Sequence, residues 1–125
     1  MKKTQTTWDE WHQRHRRFPG VDYCVERLKH RNTKGELLDL VINVLEASAA
    51  EYAEDLLDAA DKPDNGNIRR FLLMAIENAA LEIAVPFWAQ ILSGPDDEER
   101  MYAERALALI DTKDARRFLW ESRSQ

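Results

Sequence analysis

Apolar residues recur at spacings of three and four along nearly the whole chain, the signature of helices that each bury one face. Trp8, Trp11, His15 and Phe18 form the first such stripe, and Val21, Cys24, Val25 and Leu28 the second. Leu37, Leu38, Val41, Val44 and Leu45 form the third, and Ala53, Leu56, Leu57 and Ala60 the fourth. Further stripes run over about 68–79, 83–93, 97–110 and 113–122. No segment alternates with the period of two that a half-buried strand needs. The pattern predicts eight helices in four antiparallel pairs.

Local chemistry punctuates these stripes. Thr7-Trp8-Asp9-Glu10, Thr33-Lys34-Gly35-Glu36 and Ser48-Ala49-Ala50-Glu51 fit the capping box, in which a hydroxyl accepts from the third amide of the helix and a Glu reaches back. Asn67 and Asp111 are expected N-caps of later helices. Pro19-Gly20, Asn32 to Gly35, Pro63 to Gly66 and Gly94-Pro95 mark turns.

A shift of 31 residues superposes the stripes on one another. Leu40, Phe71 and Tyr102 align, as do Val41, Leu72 and Ala103; Val44, Ala75 and Ala106; and Leu45, Ile76 and Leu107. In the following helix Ala53, Ala84 and Ala115 align, then Leu56, Phe87 and Phe118, then Leu57, Trp88 and Leu119. Any two amphipathic helices share a 3.6-residue period, so one match carries little. Seven triples spanning two helices and a turn point to an internal repeat.

On these residues the chain resembles the HEAT-repeat family. Ile68-Arg69-Arg70-Phe71-Leu72-Leu73-Met74-Ala75-Ile76-Glu77-Asn78-Ala79 is similar to the second helix of such a repeat. Ile83-Ala84-Val85-Pro86-Phe87-Trp88-Ala89-Gln90-Ile91-Leu92 is similar to the first helix of the next, including its Ala-Val-Pro start. The resemblance covers about residues 36–122 and weakens over 1–35. It implies a single all-α domain over 1–125, a short right-handed α-solenoid of about four antiparallel helix pairs, with 1–35 as a divergent basic pair. It also implies a binding scaffold, and its packing pattern does not specify a ligand.

Composition narrows the function classes. Of 125 residues 44% are apolar and 33% charged, as in soluble globular domains, and Gly and Pro number four each, too few for a turn-rich β fold. Cys24 is the single cysteine, so no intramolecular disulfide forms, and a buried thiol is expected. With no run of about 20 apolar residues, and no apolar signal region after the basic first residues, the expected location is cytoplasmic with no membrane partner.

Charge is unevenly distributed. Residues 1–35 carry nine Lys and Arg against four Asp and Glu, residues 36–65 one against nine, and the remainder eight against ten. The acidic middle disfavours nucleic acid and suits a basic protein partner. Glu51, Glu54, Asp55 and Asp58 share one helix face opposite Ala53, Leu56, Leu57 and Ala60, and repel one another with no internal cation. A basic partner would relieve that repulsion; solvation, or pairing with the basic N-terminal helices, is the competing reading. If 36–47, 68–79 and 97–110 line one face, their outward residues are Asp39, Asn43 and Glu46, then Arg70, Met74 and Glu77, then Met101, Arg105 and Ala108, aligned in rows by the repeat. The tryptophan stripe Trp8 and Trp11 either caps the stack or docks a partner.

Catalytic and metal chemistry find no support. There is no Gly-rich phosphate loop, no nucleophile elbow and no HExxH or CxxC motif, and His12 with His15 lacks a third ligand. The basic cluster Arg14, His15, Arg16, Arg17, Arg27, Lys29, His30 and Arg31 is small, and intramolecular pairing or solvation is expected of it. The expectation is a non-enzymatic protein-protein interaction module without cofactor or metal. Its sharper form is an acidic inhibitor, of the kind bacterial immunity proteins represent, that blocks a basic partner. The alternative is a structural or regulatory subunit of a larger complex. Oligomeric state is not encoded in these patterns.

Overall fold

The computed structural model describes residues 18–124, which form seven α-helices and no strand. These are α1 (Val21–Lys29), α2 (Glu36–Ser48), α3 (Ala53–Asp61), α4 (Arg69–Ala79), α5 (Val85–Leu92), α6 (Asp97–Ile110) and α7 (Lys113–Arg123). Short 3-10 helices, Pro63–Ile68 and Glu82–Ala84, lead into α4 and α5. The expected helix around Trp8 and Trp11 lies outside the described residues, as does the first capping box.

The helices form one continuous row, with α1 and α3 and then α5 and α7 packed on it as two pairs. α2, α4 and α6 pack in sequence, α2 on α4 and α4 on α6. α1 packs on α3 and α5 on α7, while α1–α2, α3–α4, α5–α6 and α6–α7 join these pairs to the row. The sequence pattern pairs residues 36–47 with 53–60. In the structure α2 instead makes its extensive contacts with α1 and α4, because its buried Leu37, Val41, Ile42 and Leu45 stripe faces those helices.

α4 sits in the centre, and Leu72, Leu73, Ala75 and Ile76 are wholly buried. Positions 31 residues apart carry matching burial: Val41, Leu72 and Ala103 are all buried, as are Leu45, Ile76 and Leu107, and Ala53, Ala84 and Ala115. Size falls from Val41 and Leu72 to Ala103, although all three are buried.

Local chemistry sets the helix ends, and it differs from the expected boxes in four places. Thr33 does not cap α2: Gly35 takes the N-cap with φ 61° and ψ −133°, a backbone geometry that glycine alone adopts readily, and the buried Thr33 hydroxyl has no partner among the described residues. Ser48 ends α2 instead of starting α3, its hydroxyl donating back to the Val44 and Leu45 carbonyls at 2.8 and 3.3 Å. Ile68, not Asn67, precedes α4. Asp111 closes α6 in the left-handed region, and Thr112 caps α7 by accepting from the Ala115 amide at 3.1 Å. Asp96 caps α6 by accepting from the Glu99 amide at 2.9 Å.

One charged tie crosses the layers. The Arg69 Nε donates to Glu99 Oε2 at 2.9 Å and its Nη2 to Oε1 at 3.1 Å, a two-pronged geometry that only a guanidinium supplies. Its Nη1 donates to the Ala60 carbonyl at the end of α3. Burial pulls the Arg69 guanidinium down, but the bonds and charges of Glu99 and then Asp61 outweigh it and hold it above its ordinary value. Arg69 therefore fastens the end of α3 and the starts of α4 and α6 together.

Cys24 lies in the core at 0% exposure, and burial pushes its thiol up to about 12 from an ordinary 9.0. Ionisation is thus easier in the unfolded chain than in the folded one. The resulting contribution to stability is complete below about pH 9 and declines as pH rises from there toward about 12. Urea melts across this range should show the decline, and Cys24→Ala should flatten it. Native protein at pH 8 should leave a thiol reagent unreacted until denaturant is added.

Candidate functional site

The sequence-predicted residues fall into two places on the molecule. Glu54, Asp55 and Asp58 lie on the exposed side of α3, opposite the buried Ala53, Leu56, Ala59 and Ala60. Glu51 is also exposed but lies in the turn before α3, not within it. None of these four acids forms an ion pair among the described residues. Just before α3 the Tyr52 ring meets that of Phe18 at 4.7 Å.

Glu54 and Asp55 stand in the first turn of α3, where the helix dipole favours negative charge. Asp58 and Asp61 stand toward its C-terminal end, where the dipole opposes them, and no basic residue occupies the last turn. Asp61 is relieved by Arg69 at 3.5 Å. Asp58 has no such relief and repels Glu54 one turn away.

The second place is the row α2, α4, α6. Asp39, Asn43, Arg70 and Arg105 are exposed there, with Glu46, Met74 and Glu77 partly buried. Met101 is 57% exposed on α6. Glu77 and Arg105 come together across α4 and α6: the Arg105 Nη2 donates to Glu77 Oε1 at 3.0 Å, and the guanidinium also lies 4.9 Å from the Tyr102 ring centre. Hydrogen bonding from Glu77 raises the Arg105 guanidinium above its ordinary value. Arg70 covers the Phe71 ring at 4.9 Å. Glu77 and Arg105 are therefore paired within the protein, and Asp39, Glu46, Arg70, Glu51 and the α3 acids have no ion-pair partner among the described residues.

Asn43 and Glu46 line a groove of about 310 Å³ with Ala47, Ala50, Ala79 and Leu81. A second depression of about 270 Å³ runs along Asp61, Arg69, Phe87, Gln90, Ile91 and the 94–96 turn, beside Glu99. Sequence reasoning missed the Ala47, Ala50, Ala79 and Leu81 walls, because they sit at helix ends where the stripe pattern stops. It also left out Trp120, 70% exposed on α7, and Leu109, 57% exposed on α6.

Among the described residues no three His, Cys, Asp or Glu are grouped to hold a metal ion, and no helix is long and apolar enough to cross a membrane. His12, His15, Arg14, Arg16 and Arg17 lie outside the described residues. Comparison with family models, curated proteins and solved structures finds no match.

Asp58→Lys should stabilise the fold by a few tenths to about 1 kcal/mol, since it removes an i,i+4 repulsion and sets a cation toward the C-terminal end of α3. Chemical denaturation at low salt checks this, and the gain should shrink as salt is added.

Proposed function

We propose that the chain is a non-enzymatic protein-binding module, a short HEAT-like α-solenoid whose acidic side receives a basic protein. The observation that carries this reading is the α3 edge: four exposed acids, Glu51, Glu54, Asp55 and Asp58, with no ion-pair partner among the described residues and no basic residue in the helix. Clustered like charges on a packed scaffold oppose folding slightly. A basic surface reverses the sign of that term and gains speed from electrostatic steering.

The packing supports a scaffold role as well. Burial repeats with the 31-residue register across α2, α4 and α6, as it does in stacked helix units, and such stacks hold their surface residues in a fixed array. An acidic array of this kind suits an inhibitor that occludes a basic protein, in the manner of an immunity protein acting on a basic nuclease. The setting proposed for it is the cytoplasm.

A subunit of a larger assembly is the second reading, and one observation favours it. Trp120, Met101 and Leu109 leave large apolar side chains on the surface of α6 and α7, and aromatic residues of this kind anchor interfaces. Such docking depends little on salt.

Affinity capture from the native host separates the two. The chain should retain a basic protein, and the combined Glu51→Lys, Glu54→Lys, Asp55→Lys and Asp58→Lys variant should lose it while keeping its helical circular dichroism. Equal recovery by both removes the acidic side from the account. Loss on Trp120→Ala alone favours the subunit reading.

A further inference from the structure

The carbonyl ends of α2 and α4 lie side by side. Residues of the last turns and following loops of both helices, Glu46, Ala47 and Ala50 from one and Ala79 and Leu81 from the other, wall the same groove. The two helices therefore run parallel, and their dipoles add at this edge. The Arg69–Glu99 tie likewise joins the starts of α4 and α6.

Among the described residues no basic side chain sits at that edge. α2, α4 and α6 each lack a basic residue in the last turn, and no groove-lining residue is basic. Of the terminal carbonyls, Val44 and Leu45 accept from the Ser48 hydroxyl, Glu46 from the Ala49 amide, Ser48 from the Glu51 and Tyr52 amides, and Glu77 from the Ala80 amide. Among the described residues, no backbone amide beyond their helices donates to the carbonyls of Ala47, Asn78 or Ala79. The groove thus lies at two helix C-termini and is lined by one acidic residue, Glu46, by Asn43, and by the apolar Ala47, Ala50, Ala79 and Leu81.

Its size and chemistry select the occupant. About 310 Å³ is at the lower bound for small-molecule sites, which leaves room for one long side chain. A metal ion lacks its ligands, since no three carboxylates, His or Cys converge among the described residues. A guanidinium presents five donors in a planar fork, enough to serve one carboxylate and other acceptors together, and its methylene stem matches alanine walls.

We infer that the groove between the C-terminal ends of α2 and α4 is a receptor for a single arginine side chain of the basic partner. The inference rests on the proposed binding of a basic protein and adds a second anchor, on different helices from the α3 acids.

The test is a titration of the full chain, followed by amide chemical shifts, with N-acetyl-arginine methylamide, its lysine counterpart and its neutral citrulline counterpart. Arginine should move the amides of residues 43–50 and 79–81 saturably. Citrulline should bind about tenfold more weakly or less, since it keeps the shape and loses the charge. Ala50→Leu should fill the groove and abolish the response while leaving the rest of the spectrum in place, and Glu46→Gln should weaken it. Equal response to arginine and citrulline, a response confined to the α3 acids, or no effect of Ala50→Leu overturns the inference. A lysine response equal to that of arginine overturns the guanidinium assignment.

The two proposals fail separately. Partner capture that survives Ala50→Leu but not reversal of the α3 acids leaves the protein-binding reading standing and removes the groove as an anchor. Saturable arginine binding without a basic protein partner does the opposite.

Discussion

The contact of α4 with α2 on one side and α6 on the other is the constraint on which the other helices depend. Leu72, Leu73, Ala75 and Ile76 of α4 are wholly buried, and Leu45, Val41 and Leu107 reach the same depth from its neighbours. Burying each leucine-sized side chain contributes about 1.5–3 kcal/mol, against a total stability of about 5–15 kcal/mol for a domain. Loss of this row would remove helices against which α1, α3, α5 and α7 all pack. The alanines at 75, 103 and 106 are equally wholly buried in this row, so a larger side chain there would overpack it.

Stacking α2, α4 and α6 in one direction has an electrostatic consequence. Their positive ends gather at one edge, where Asp96 caps α6 and Glu99 meets Arg69. Their carbonyl ends gather at the other, where Glu46 adds to the dipoles and the last turns hold no basic residue. The acidic bias of residues 36–65 is therefore expressed twice: as side-chain charge on α3, and as dipole plus carboxylate beside α2. Both favour a cationic visitor, by different elements of the fold.

The helices and their buried faces were legible in the sequence because periodicity reports burial directly. Val21, Cys24, Val25 and Leu28 are all buried, and so are Leu37, Val41 and Leu45. Helix ends were less legible. Thr33-Lys34-Gly35-Glu36 contains both a hydroxyl cap and a glycine able to take a positive φ, and only tertiary context decides that Gly35 prevails. Ser48 can cap a following helix or bond back into its own, and residues 49–52 turn before α3 begins, which also separates Glu51 from the helix carrying the other acids. The exposed side of α3 could be read from spacing. The Arg69–Glu99 and Arg105–Glu77 ties could not, because a repeat pattern aligns equivalent positions and does not say which charged side chains reach across. The groove was invisible for a related reason: its walls are small residues from two helix ends distant in sequence.

The central claim is that opposite charge brings the partner in, and the rate of association against ionic strength tests it most directly. With the captured basic protein, the association rate constant should fall by about tenfold or more as the Debye length shrinks from about 30 Å at 0.01 M to about 8 Å at 0.15 M, with the dissociation rate changing far less. An association rate that stays level across that range would contradict the account.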